Sequence, residues 1–253
     1  MNRRFVSVFL PLILIFSLVL PSCSASAAAD SDSEKHRGID VSVWQGDIDF
    51  EKVKNSGIEA VYIRAGEGSN IVDDRFEENY KAARDAGLEY RFYHYVTARS
   101  VDEAIAPADF FAGLIESKPY TMRAAMDFEN LSGLSDDEAV KIARAYLERL
   151  KERLGHTPAV YSDAYDAESV WKSNLTAYPL WVADYGVREP GDIGGWKDWS
   201  GFQYDDKGSV SGISGHVDLD YFKGAIFLTD KEKSATKKIR RSVAVDSDSC
   251  SCN

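Results

Sequence analysis

At 253 residues, 44% hydrophobic and 28% charged, the chain has an ordinary globular composition, with room for one barrel-sized domain or two smaller ones. A formal net charge of −11 excludes a simple electrostatic binder of nucleic acid and argues against charge-driven docking onto anionic lipid or wall polymers. Cysteine occurs only at positions 23, 250 and 252, so the intervening chain has neither a disulfide nor a cysteine metal site.

The amino terminus reads as an export signal. Arg3 and Arg4 precede a predominantly apolar run from Phe5 to Leu20, and small residues follow. The run is short for a membrane span and sits where the apolar region of a signal peptide belongs. Cleavage after Ala27 or Ala29 would fit a small-x-small site, making residues 1–29 a signal peptide and 30–36 a short linker. Leu20-Pro21-Ser22-Cys23 offers a second route, a lipoprotein signal ending before a lipid anchor on Cys23, although Pro21 is awkward there. The mature chain is expected to be secreted or associated with the cell wall, with no stable membrane span.

From Arg37 to Leu228 short apolar runs alternate with amphipathic ones. Strands are expected near 37–43, 59–65, 90–96, 122–128, 157–162, 179–185, 199–204 and 213–220. Helices are expected near 49–56, 74–86, 101–117, 135–154 and 163–173. Gly57, Gly87 and Gly155 stand where helices would stop, and Ser135-Asp136-Asp137-Glu138 has capping-box spacing. Strand, helix, glycine, strand, in repetition, builds βα units and a parallel sheet. After Trp181 the helical period fades into a Gly- and Trp-rich stretch. The expected fold is therefore α/β, an incomplete TIM-like (β/α) barrel of eight strands with about five helices, over residues 37–228. Residues 229–253, basic from Lys231 to Arg241 and then acidic at Asp246 and Asp248, are expected to form a disordered tail.

The most informative segment is Ala124-Ala125-Met126-Asp127-Phe128-Glu129-Asn130. A strand ending with acids at i and i+2 turns both to one face, their Cα atoms about 6.6 Å apart. At the C-terminal end of a barrel strand that face lines the mouth, where active sites of such barrels sit. Crowding raises the pKa of one acid and leaves it protonated beside an ionised partner, the pair that glycosidic cleavage needs. Alone, an Asp-x-Glu triplet is weak, because most are solvated strand ends. Asp40 on the first expected strand adds to it, as do Asp218 and Asp220 on the last, which neighbours the first in a closed barrel. Tyr93, Tyr95, Tyr161, Trp181, Tyr185 and Tyr204 end other strands, and rings beside carboxylates suit sugars, with their apolar faces and polar rims. Tyr62 and Phe92 are assigned to the core, and His94 to a hydrogen-bonded wall position. Neither His94 nor His216 has a second ligand at helical spacing, and no nucleophile elbow or phosphate loop is present, so no metal and no cofactor are expected.

Six segments, in order, resemble glycoside hydrolase family 25, the Chalaropsis-type lysozymes. They are Asp40-Val41-Ser42-Val43-Trp44-Gln45-Gly46-Asp47-Ile48-Asp49-Phe50, Ile63-Arg64-Ala65-Gly66-Glu67-Gly68, Phe92-Tyr93-His94-Tyr95, Met126-Asp127-Phe128-Glu129, Trp181-Val182-Ala183-Asp184-Tyr185, and Phe202-Gln203-Tyr204 through His216-Val217-Asp218-Leu219-Asp220-Tyr221-Phe222. The resemblance spans residues 37–228. It implies hydrolysis of the β-1,4 bond between N-acetylmuramic acid and N-acetylglucosamine in peptidoglycan glycan strands, by a monomer without a nucleic-acid partner. Carried over by motif, Glu129 is the general acid, and Asp127 orients the substrate's N-acetyl group or stabilises positive charge. Asp40 and Asp218 complete an acidic floor, and Tyr93, Tyr161, Trp181, Gln203 and Arg64 are sugar contacts. Arg64, Gly66 and Asp184 depart from the residues usual in the family, which bears on subsite preference rather than on the chemistry. Inverting and substrate-assisted routes both stay open. Two other functions compete with this one: a wall-glycan-binding barrel without catalysis, and a hydrolase of chitin-type β-1,4-N-acetylhexosamine polymers.

Overall fold

The computed structural model describes residues 34–237; the expected signal and Cys23 at one end, and Cys250 and Cys252 at the other, lie outside the described residues. The apolar runs form strands β1 (His36–Val41), β2 (Ala60–Glu67), β3 (Ile71–Val72), β4 (Glu89–Tyr95), β5 (Ala125–Asp127), β6 (Ala159–Asp163), β7 (Leu180–Ala183), β8 (Gly201–Gly208) and β9 (Val217–Phe222). Around the barrel the order is β1-β9-β8-β7-β6-β5-β4-β2, and β2 pairs back onto β1 to close it. The two-residue β3 is an antiparallel flap on the end of β2.

Helices α1 (Phe50–Asn55), α2 (Phe76–Asp85), α3 (Ile105–Ile115) and α4 (Asp136–Leu154) follow the early strands. The capping box at Ser135 and Glu138 opens α4, and Gly155, at φ 72°, closes it in a left-handed conformation that a side chain would strain. Between those ends α4 buries Ala139, Val140, Ile142, Ala143, Tyr146, Leu147, Leu150 and Leu154, one stripe at helical spacing. The helix expected over 163–173 is instead a single turn at Ala164–Asp166 running into a π turn at Ala167–Trp171.

Two further expectations are corrected. The sheet is not wholly parallel, because β9 runs antiparallel to both β8 and β1. Residues 209–216 join β8 to β9 without a helix, and so short a loop connects only antiparallel neighbours. The start of the expected disordered tail is also ordered, since 230–237 is helical. Thr229 and Glu232 cap that helix reciprocally, with Thr229 N donating to Glu232 Oε2 at 3.0 Å and Glu232 N to Thr229 Oγ1 at 3.3 Å. Glu232 also anchors it to the barrel through Arg123, at 2.6 and 3.0 Å.

Strand alternation sorts side chains into two cores. Outward residues such as Ile39, Val61, Phe92, Met126, Val160 and Val182 pack under the helices and loops. Inward residues are Tyr62, Trp181 and Phe222 set among small Ala60, Ala125 and Ala159. Tyr62 stacks on Trp181 at 4.5 Å, and Gly201 makes room for the indole, because a Cβ there would lie 2.6 Å from the ring. Side chains thus fill the lower barrel. The open space is at the C-terminal ends of the strands.

Candidate active site

A cavity of about 230 Å³ opens at that end, lined by Asp40, Tyr93, Asp127, Glu129, Tyr161, Trp181, Tyr185, Gln203 and Asp218. Inward-facing positions of separate strands supply them. Asp40 of β1 lies in register with Asp218 of β9, and Asp127 of β5 with Tyr161 of β6. Every expected site residue lines this cavity except Arg64. Arg64 Nε donates instead to Asp73 Oδ2 at 2.8 Å, and it reaches the site as a charge that favours ionised Asp127.

The carboxyl groups are crowded, and no lysine or arginine lines the cavity with them. Asp127, 6% exposed, is held well above the usual carboxylate range by burial first. The negative charge of Glu129 comes next, together with a hydrogen bond that the protonated Asp127 donates to Glu129. Asp127 Oδ1 is buried and has no hydrogen-bond partner among the described residues. Glu129, two residues on, is exposed. Asp40 is raised by burial and then by Asp218, and a hydrogen bond from Gln203 pulls it back. Asp218 is raised to about 6 by burial and by Asp206 and Asp205.

Gln203 organises one wall. Its Nε2 donates to Asp40 Oδ2 at 2.6 Å, which turns Oε1 toward the hydroxyls of Tyr161 and Tyr185, donating at 2.8 and 2.7 Å. Burial raises the pKa of both tyrosines, so these hydroxyls keep their protons. Trp181 lines the cavity floor but is 1% exposed, and its Nε1 donates inward to Asp220 Oδ1 at 2.8 Å.

Sequence reasoning named Tyr185 only as a strand-end aromatic; the alternation Trp181, Ala183, Tyr185 was the signal that it faces the same cavity. Asp73 gave no such signal. Its Oδ2 accepts from Val43 N at 3.0 Å as well as from Arg64, and so fixes the turn at Val43–Gln45. That turn presents Trp44, 82% exposed, just beyond the end of β1 that carries Asp40. Asp184, a departure from the family pattern, turns into its own loop and accepts from Gly191 N at 2.9 Å. His94 lies in the wall, its Nδ1 3.0 Å from the hydroxyl of Tyr146, and burial lowers its pKa to about 3. Among the described residues no three His, Cys, Asp or Glu side chains are grouped to hold a metal ion, and no helix is long and apolar enough to cross a membrane.

Residues 39–213 match the family model of the Glycosyl hydrolases family 25. The chain is 36% identical to the autolytic lysozyme of Clostridium acetobutylicum over 192 residues, covering 76% of this chain and 57% of that protein. It is 33% identical to lysozyme M1 of Streptomyces globisporus over 201 residues, covering 75% of this chain and 68% of that one. The match thus spans little more than half the length of the first relative. The crystal structure of the bacterial lysozyme from Streptomyces coelicolor has the same fold, with a TM-score of 0.69 and 32% identity over 82% of this chain and 100% of that one.

Proposed function

This chain belongs to glycosyl hydrolase family 25, and on that premise we propose that it hydrolyses the β-1,4 bond between N-acetylmuramic acid and N-acetylglucosamine in peptidoglycan glycan strands. One observation carries the reading: Asp40, Asp127, Glu129 and Asp218 converge on a single cavity that also holds Tyr93, Tyr161, Trp181, Tyr185 and Gln203 and no cationic side chain.

Glycosidic cleavage must protonate the leaving oxygen while positive charge grows on the sugar ring. Burial keeps the proton on Asp127 beside Glu129, and the exposed member of the pair, Glu129, passes it to the leaving oxygen. Asp127, left as the anion, faces the acetamide N–H of the sugar or the developing cation. The acetamide oxygen attacks the anomeric carbon as the leaving group departs, and water then opens the resulting ring with Glu129 taking its proton. Asp40 and Asp218 add negative potential beneath the ring, where a preorganised charge stabilises the transition state most. The aromatic walls supply stacking surface, and the exposed rings of Trp44 and Tyr165 extend it beyond the cavity along the C-terminal face. The expected setting is outside the cell or on its wall, after removal of residues 1–29 or anchoring at Cys23, with the chain acting as a monomer.

The test is digestion of purified, de-acetylated peptidoglycan by the chain from residue 30, wild type beside Glu129→Gln, with new reducing ends identified by mass spectrometry. N-acetylmuramic acid reducing ends from wild type alone are the expected result. Cleavage of chitin but not peptidoglycan would transfer the activity to the chitin-type substrate. Binding of glycan by folded wild type without cleavage of either polymer would make the barrel a binder.

A further inference from the structure

Asp220 takes no part in the chemistry above, yet it is 0% exposed and lies two residues from Asp218 on the same strand. Its Oδ1 accepts from Trp181 Nε1 at 2.8 Å, while no N–H group or hydroxyl of a described residue donates to its Oδ2. The group it faces is a second carboxyl, Asp40, which lies diagonally across from it on the same face of the paired strands β1 and β9. Each acid there shifts the other's proton affinity, and the two can share a hydrogen bond. Two carboxyls can do that only if one carries a proton.

The surroundings decide which one. Asp40 also accepts from Gln203 Nε2 at 2.6 Å, a bond that favours its anion. Around Asp220 lie Asp40 on β1, Asp218 on its own strand, Trp181 on β7, Tyr62 on β2 and Gln203, its partner in register on β8, none of them cationic. An ionised Asp220 would thus set two buried anions side by side with no donor between them, an arrangement of prohibitive cost. We infer that Asp220 is a positioning residue, a neutral carboxylic acid that donates its proton to Asp40 and holds Asp40 as a carboxylate aimed into the cavity. Donors then converge on one anion from two sides. Trp181 N–H points to Asp220 and Asp220 to Asp40, while the hydroxyls of Tyr161 and Tyr185 orient Gln203, which also donates to Asp40. The role of Asp40 rests on the muramidase reading; the proton on Asp220 does not.

Asp220→Asn and Asp220→Leu separate the alternatives. Asparagine can accept from Trp181 and donate to Asp40, as the neutral acid does, whereas leucine can do neither. On peptidoglycan, Asp220→Asn should keep kcat within about threefold of wild type, and Asp220→Leu should lose about 10- to 100-fold, the scale of a misplaced site group, with KM little changed. Because Asp40 loses a donor in the leucine variant, the acid limb of its kcat profile should move to higher pH; in the asparagine variant it should stay. Infrared spectra at neutral pH give a readout free of activity: the neutral-carboxyl absorption of folded wild type should weaken in Asp220→Asn, and by the same amount in a Glu129→Gln background. The inference is overturned if Asp220→Asn loses activity as the leucine variant does, if the absorption is unchanged in Asp220→Asn, or if Asp220→Leu leaves both kcat and the acid limb in place. Should Asp220→Leu not fold, the infrared comparison decides alone. It also decides if wild type cleaves nothing, which would fault the muramidase reading and not this one.

Discussion

The two ends of the barrel follow opposite electrostatic plans. At the mouth, where β1 and β5 end and the antiparallel β9 begins, Asp40, Asp127 and Asp218, with Asp220 buried below them, are all held above the usual carboxylate range, by burial first and then by a neighbouring acid. At the N-terminal ends, charges are matched. Arg123 donates to the carbonyls of Ala225 at 2.6 Å and Thr157 at 2.9 Å, as well as to Glu232. Lys223 is paired with Asp198 at 2.7 Å and lies 3.9 Å over the ring of Trp199. The exposed large apolar residues lie on one side: Trp44, Ile71, Val72, Val101, Ile105, Tyr165, Tyr185 and Val187 all fall in segments that follow strand ends on the acidic side. The paired charges of the base stabilise the fold. The acids of the mouth are left crowded, with no cation among them, as the proposed site requires.

The comparison makes its largest claim at Glu129. If the mouth serves chemistry and not stability, Glu129→Gln should cut kcat by about 10²- to 10⁴-fold, the usual contribution of a general acid, while thermal melting stays put. A fall in melting temperature on the same scale as the loss of activity would break the division of labour. The base makes the mirror-image claim. Arg123→Ala strands Glu232 and two carbonyls, at a cost of about 2–4 kcal/mol in urea unfolding, with turnover per folded molecule unchanged.

Acid sharpens the contrast, because the two ends should respond to pH with opposite sign. Burial alone would raise Glu232, but the hydrogen bonds from Arg123 and Thr229 bring it down to about 2. A carboxyl depressed in the folded state contributes stability above its unfolded value of 4.5 and loses it as pH falls toward about 2. Glu232→Gln should therefore flatten the acid side of the stability curve. Asp218 behaves the other way. Raised from 3.8 to about 6, it binds its proton more tightly in the folded chain, so its contribution is present below 3.8 and is lost as pH rises through about 6. Asp218→Asn should then stabilise the protein at pH 7 by about 1–2 kcal/mol, once the shift is discounted for partial exposure, while activity falls. A variant that lost both stability and activity would show that the mouth is structural after all.

Sequence alone revealed the mouth better than the base. Asp40, Asp127, Glu129 and Asp218 sit at strand ends where a two-residue alternation declares which way they face, and the capping box at Ser135 is a local pattern. The base is held by partners far apart in the chain, such as Arg123 and Glu232, separated by 109 positions. No periodicity marks such a pair. The helix at 230–237 was hidden for a related reason: its charged composition suggested a solvated tail, although Thr229 and Glu232 carried a legible cap. The antiparallel β9 was lost because hydrophobic alternation does not record strand direction.

Trp44 tests the comparison at its smallest scale. Burying an indole is the ordinary way to use one, and this one is 82% exposed. The turn that carries it is nevertheless fixed: Ser42 Oγ accepts from Trp44 N at 3.3 Å, Ser42 N donates to Gln45 Oε1 at 2.8 Å, and the fully buried carboxylate of Asp73 holds Val43. A rigid turn that presents a bare aromatic face beside the acids suits the stacking of a sugar ring some distance from the scissile bond. Such a contact, at about 0.5–1.5 kcal/mol, corresponds to a KM for glycan strands about 2- to 10-fold higher in Trp44→Ala. Because the ring lies away from the reacting atoms, kcat should hold, and because it is exposed, so should the melting temperature. Trp44→Phe, which keeps an aromatic face, should recover most of the loss. An unchanged KM in Trp44→Ala would confine substrate contact to the cavity, and a lowered melting temperature would move Trp44 from the plan of the mouth to that of the base.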